Sequence, residues 1–273
     1  MFEAANQNLY DVKYFKGLGT STRKEAIEYF SNLKRHLKNV TLDDDSFRKC
    51  DIMFNPKYSN ERKKLIVDKE CVVMDYNMNN MGMTTFFDSE LLSYSKYSIQ
   101  RAIPNVIDGL KVSQRKILFT CLKKFSSNNT EYKVSQLASL VSAQTAYLHG
   151  EQSLSNEIVG MAQSYTGSNN LPLLCENGSF GSRLQNGKDC ASSRYIFTNL
   201  RSYTRNIFVK QDDDILTYKK EEGMSIEPIY YFPTIPMVLC NGSNGISTGF
   251  RTEIPMYDVQ VILQSMISKC QSK

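Results

Sequence analysis

The chain has 273 residues, 41% hydrophobic and 22% charged, which suits a globular protein with one large or two modest cores. No apolar run approaches bilayer-spanning length, and Met1 to Asp11 lack the charged-then-apolar order of a signal peptide, so a soluble intracellular protein is the expectation. The 33 Lys and Arg exceed the 28 Asp and Glu by a net +5, a mild lean toward nucleic acid, and seven widely spaced cysteines without a C-x-x-C pair argue against zinc sites and disulfides.

Residues 10–15 read as a strand, followed by a glycine turn, Lys16-Gly17-Leu18-Gly19-Thr20-Ser21. Gly17 and Gly19 would let backbone approach a phosphate and Lys16 adds charge, though such a string also serves as a plain turn. Thr22 and Glu25 have capping-box spacing for a helix whose apolar stripe is Ile27, Phe30, Leu33 and Leu37. From 39 to 90 the pattern weakens to a polar connection with one or two helices.

A domain with stronger periodicity starts near Tyr94. Ser113 is positioned to cap a helix over 114–125, with Leu118, Cys121, Leu122 and Phe125 on one face and Lys123 and Lys124 at its negative end. Further helices are expected over 135–146, burying Leu137, Leu140 and Val141, and over 151–165, burying Leu154, Ile158, Met161 and Tyr165. Asn177-Gly178 and Asn186-Gly187 are hairpin signals. Three helices followed by hairpins is the order of a winged helix-turn-helix. Strands are expected over 229–232, 237–240 and 246–250, then a last helix over 258–269 that runs to the chain end, from which a longer natural protein is expected. Basic residues cluster over 57–64 and 111–124, either as solvated faces or as phosphate-facing ones.

Ordered strings along most of the chain carry a family resemblance. Lys16-Gly-Leu-Gly-Thr-Ser-Thr22 resembles the end of a Toprim domain. Arg101-Ala-Ile-Pro-Asn-Val-Ile-Asp-Gly-Leu-Lys111 with Gln114-Arg115-Lys116, Tyr147-Leu-His149-Gly150-Glu151, Gly187-Lys188-Asp189 and Ser193-Arg194-Tyr195 resemble a DNA breakage-reunion region. Ile235-Pro-Met-Val-Leu239 followed by Asn241-Gly242 and Gly245-Ile246 continues it. Together they resemble the type IIA DNA topoisomerases, and the Toprim end joined to a breakage domain resembles the eukaryotic kind rather than the bacterial gyrase kind. Two departures, Leu148 for the usual second His of cellular enzymes and Ser193 for Pro, are compatible with a viral member.

The resemblance implies an α+β chain: the end of a Toprim domain (1–38), a connecting helical linker (39–93), a winged-helix breakage-reunion domain (94–233) and the start of a tower domain (234–273). It implies that Tyr195 attacks a DNA phosphate and stays joined to the 5′ end. A phenol titrates at about pH 10, so it needs a nearby positive charge, and Arg194 is the neighbour that supplies one. His149 would help hold that phosphate at a helix N-terminus. DNA contacts would come from Lys16, Gly17, Gly19, Arg101, Lys111, Gln114, Arg115, Lys116, Lys188 and Ser193, and Ile246 would wedge between base pairs. The partners implied are double-stranded DNA and a second copy of the chain in a homodimer, without a membrane. Magnesium and ATP belong to the full-length parent, because no Glu-Gly-Asp or Asp-x-Asp cluster precedes Lys16 and no nucleotide-binding module is present. A fragment of this kind is expected to bind DNA without cleaving it efficiently. The compartment would be the nucleus for a cellular enzyme and host cytoplasm for a viral one.

Overall fold

The computed structural model describes residues 21–75, 77–125, 130–221 and 223–272. The expected strand over 10–15 and the Lys16 turn lie outside them. Helix α1 (Arg23–Ser31) starts at the predicted capping box: Glu25 N donates to Thr22 Oγ1, and Glu25 Oε2 accepts from Thr22 N at 2.6 Å. The chain breaks at Asn32 and resumes as α2 (Leu33–His36). The apolar stripe of this helix is exposed, with Phe30 at 76% and Ile27 at 57%.

The segment read as a polar connection is more ordered than its sequence pattern. Strand β1 (Asn39–Thr41) pairs in parallel with β2 (Asn80–Gly82), enclosing α3 (Ser46–Phe54) and α4 (Ser59–Asp68). Arg62 ties the two helices by donating to the carbonyls of Ile52 and Asn55. Helix α5 (Met83–Phe86) runs through a single π-helical turn into α6 (Leu92–Ala102). Asp88 in that turn accepts from Lys49 and pairs with Lys69.

The core of the second half is built on three helices. Helix α7 (Val112–Lys124) buries Ile117, Leu118, Cys121 and Leu122. It begins two residues earlier than the Ser113 cap implies, because Gln114 Oε1 accepts from Lys111 N at 3.0 Å and makes Lys111 the first boundary residue. Strand β3 (Tyr132–Lys133) leads into α8 (Val134–Gln144), which buries Leu137 and Val141 and leaves Leu140 half-buried. Helix α9 (Glu151–Ala162) buries Leu154, Ile158 and Met161 and ends before the half-buried Tyr165. The chain returns through β4 (Phe197–Thr198), antiparallel to β3. Asn177 also bridges Phe197, through mutual backbone bonds of 3.1 and 2.8 Å. Three helices and a small β-layer match the predicted order, but the wing is one long excursion rather than two hairpins. Asn186 (φ +51°) and Gly187 (φ +74°) do take the positive φ values of a tight turn, yet they close a one-turn 3₁₀ segment with no flanking strands.

Beyond the short α10 (Thr204–Ile207), β5 (Tyr218–Glu221) and β6 (Met224–Pro228) form a hairpin against α7. The strand expected over 229–232 is irregular, because Tyr231 N is drawn to Asp108 rather than to a ladder partner. The strand expected over 237–240 is instead the one-turn α11 (Met237–Cys240), which starts after Pro236. A short apolar run does not distinguish the two by periodicity. The β7 (Ser243–Ser247) and β8 (Phe250–Ile254) hairpin then packs on α6, and α12 (Val259–Gln271) follows, capped by Asp258.

Asp108 joins these parts. Fully buried, it accepts from Arg115 Nε (2.7 Å), Arg115 Nη2 (2.9 Å), Leu110 N and Tyr231 N. The turn beside it needs Gly109, at φ +69°, where a Cβ would lie 2.6 Å from Val238 N in α11. Asp108→Ala strands a buried guanidinium, so chemical denaturation should show a loss of about 3–5 kcal/mol.

Candidate functional site

Tyr195 is held by backbone bonds from the start of α8. Ser135 N donates to Ser193 O at 3.1 Å, and Val134 N donates to Ile196 O at 3.0 Å. Ile196 is thereby driven into the core at 1% exposure, and Tyr195, one residue earlier, is turned outward at 69%. Arg194 is exposed beside it, its guanidinium carbon 5.6 Å from the centre of the Tyr195 ring. Ser193 is half-buried, with its carbonyl spent on α8.

A polar cleft of about 440 Å³ separates this turn from the first turns of α9. Gln152, Ser155 and Asn156 line one side and Lys188, Ser192 and Ser193 the other. Lys188 is exposed on a loop closed by Asp189, which accepts from Ser182 N at 2.8 Å. Backbone and side-chain bonds from Ser182 hold the Asp189 carboxyl below the usual range. Gly187 lets this loop pack against Gln163, whose Nε2 would stand 2.2 Å from an added Cβ.

His149 sits one residue ahead of Gly150, the cap of α9, as predicted. Its Nε2 is 2.8 Å from the hydroxyl of Tyr97 on α6, and the buried Tyr147 ring meets it edge-on at 5.4 Å. Burial pushes the Tyr147 phenol up, opposed by the nearby Arg101 charge. Arg101 is exposed at the end of α6, and Lys111 and Gln114 are half-buried at the start of α7. Ile246 projects from the β7 strand at 73% exposure. Its hairpin is fixed to α6 by a 2.9 Å contact between the Ser98 and Ser247 hydroxyls, and a Cβ on Gly245 would lie 2.3 Å from Ala102 O.

Two of the expected phosphate clamps are internal. Arg115 is 3% exposed with its fork on Asp108, and Lys116 is 7% exposed with its ammonium on Glu227 (2.8 Å) and the Thr145 carbonyl. Buried charges whose donors are occupied by carboxylates are poorly placed to meet a phosphate. Lys16, Gly17 and Gly19 lie outside the described residues. Among the described residues no cluster of three or more His, Cys, Asp or Glu could hold a metal ion. All seven cysteines are free thiols, and no described helix is long and apolar enough to cross a membrane.

Comparison with known proteins bears on this arrangement. Residues 101–273 match the DNA gyrase/topoisomerase IV family model, that of the A-type chain, and residues 2–99 match the C-terminal associated domain of TOPRIM. The chain belongs to the type II DNA topoisomerases. The mitochondrial DNA topoisomerase 2 of Dictyostelium discoideum is 46% identical over 94% of this chain and 20% of its own length. The DNA topoisomerase 2 of Saccharomyces cerevisiae is 43% identical over 97% of the chain and 18% of its own. This chain thus spans about a fifth of those relatives. The DNA-binding, cleavage and re-ligation domain of Plasmodium falciparum topoisomerase II superposes with a TM-score of 0.77 at 40% identity, covering 98% of this chain and 37% of that one. These topoisomerase 2 relatives are of the eukaryotic kind, in which the TOPRIM-associated part and the breakage region share one chain, as they do here.

Sequence reasoning about this type II topoisomerase chain missed Asp108, Tyr97 and Glu227. The aspartate stands inside the quoted Asp108-Gly109-Leu110-Lys111 string, but its partner Tyr231 lies 123 residues away. Nothing local marks Tyr97 or Glu227. If Lys188 meets phosphate and Lys116 does not, the slope of log affinity against log salt for DNA should fall by about 0.9 in Lys188→Ala. In Lys116→Met the slope should stay unchanged while stability drops.

Proposed function

We propose that this chain carries the DNA-breaking centre of an ATP-dependent type II topoisomerase, with Tyr195 as the nucleophile. The observation that carries the reading is Tyr195 itself, an exposed phenol held outward by the α8 backbone bonds, with a guanidinium on its ring.

The Tyr195 phenolic oxygen attacks a backbone phosphorus, and the bond from that phosphorus to the 3′ oxygen breaks. A 5′-phosphotyrosine and a free 3′ hydroxyl result. The phenol gives up its proton as the leaving 3′ oxygen gains one. One phosphodiester replaces another, so the 3′ hydroxyl can reverse the step without external energy. Arg194 balances the charge that builds on the non-bridging oxygens, and its planar fork suits two of them at once. His149, at the positive end of α9, holds a phosphate oxygen. Arg101, Lys111, Gln114, Lys188 and Ser193 position the duplex, and Ile246 enters between base pairs and bends it.

Two copies, each with its own Tyr195, cut the two strands, and a second duplex passes through before resealing, which relaxes or decatenates DNA. Magnesium and ATP act in the full-length protein through parts other than the described residues. The fragment alone is expected to bind DNA and to cleave it poorly.

Full-length Tyr195→Phe, stopped with detergent after reaction with supercoiled plasmid, should give no covalent adduct while plasmid binding persists. An adduct that survives would transfer the chemistry to another tyrosine. Ile246→Ala should reduce the bend read by energy transfer between dyes at the ends of a bound duplex, and should leave the salt slope unchanged.

A further inference from the structure

His149 is gripped from one face of α6. Tyr97 and Arg101 are one helical turn apart there, and residues spaced by four share a face. The Tyr97 hydroxyl lies 2.8 Å from His149 Nε2, and the Tyr147 ring crosses the imidazole at 73°. One residue of α6 therefore holds the imidazole of the segment that enters α9, and Tyr147 of the same segment lies against it.

Resting on the reading of His149 as a phosphate contact, we propose that Tyr97 is a positioning residue for DNA cleavage, fixing the orientation of the His149 imidazole. A phenol hydroxyl both donates and accepts. It donates to Nε2 when the ring is neutral with its proton on Nδ1, and it accepts from Nε2–H when the ring is cationic. The contact therefore survives a proton arriving at the ring or leaving it, and the ring need not turn. Tyr147 fixes the plane of the imidazole from the side. The charged groups around this pocket are Arg101 from α6, Lys116 from α7, and Lys219, Glu221 and Glu227 from the β5–β6 hairpin. Lys116 and Lys219 both turn to Glu227, at 2.8 and 3.5 Å. The position of the imidazole matters because a misplacement of about 1 Å near a reacting centre costs roughly a hundredfold in rate.

The test uses the full-length protein and four forms: wild type, His149→Ala, Tyr97→Phe and the double variant. Two quantities are measured separately, the rate of detergent-trapped adduct formation at saturating plasmid and the affinity for plasmid. Phenylalanine keeps the ring that lies 6.4 Å from the imidazole and removes only the hydroxyl. Tyr97→Phe should slow adduct formation about tenfold, the lower end of what losing the hydrogen-bond partner of a metal-binding histidine costs. Plasmid affinity should not change. Added to His149→Ala, Tyr97→Phe should cause no further loss, since a residue that acts only through another is silent once that one is gone. Full-rate cleavage by Tyr97→Phe beside a slow His149→Ala overturns the positioning role alone, as does an equal added loss in the double variant. Full-rate cleavage by His149→Ala overturns the phosphate role of His149, and this proposal with it.

Discussion

The Asp108 carboxylate takes bonds from Arg115, from Leu110 N and from Tyr231 N, and so fixes the turn before α7, the helix itself and the irregular segment after β6. Burying an aspartate is costly unless its oxygens are fully used, and here both are. A second buried pair, Lys116 with Glu227, ties the same helix to β6. Together they make α7 the strut against which α8, α9 and the β5–β6 hairpin pack. The outward face of the domain inherits its geometry from that strut.

This has a consequence for electrostatics. The cationic string at 111–116 contributes two of its three charges to the interior, so positive charge facing outward must come from elsewhere. Arg101 at the end of α6, Lys188 on the excursion and Arg194 beside Tyr195 are all exposed. They are carried by three different elements, each held by backbone or buried polar bonds rather than by its own charge. Positive charge placed this way is spread over several elements rather than concentrated on one helix. The same economy appears at α8, where two amides at the helix start are spent on Ser193 O and Ile196 O. The bonds that complete the helix also aim the tyrosine.

Much of this was legible in the sequence where the signal is local. The Thr22–Glu25 capping box, the apolar faces of α7, α8 and α9 and the Asp258 start of α12 all follow from spacing within one turn. What was not legible depends on distant partners. Arg115 and Lys116 look like a solvated or phosphate-facing pair until Asp108 and Glu227 are brought to them, and Lys116 meets Glu227 across 111 residues. The run at 237–240 is too short for its period to decide between strand and helix. The β1–β2 pair is invisible locally because its strands are three residues each, parallel and separated by two helices. For the tyrosine, composition offers sixteen candidates, and the Ser193-Arg194-Tyr195 context picked one that the structure holds outward.

The most direct test of the central assignment is to identify the atom to which DNA becomes attached. Covalent complex trapped from the full-length protein would be digested with nuclease and trypsin, and the nucleotide-bearing peptide sequenced by mass spectrometry. The account predicts a nucleotide on the first residue of the peptide running from Tyr195 to Arg201, joined through its 5′ phosphate. A nucleotide on a peptide from any other tyrosine, or one joined through a 3′ phosphate, would contradict it.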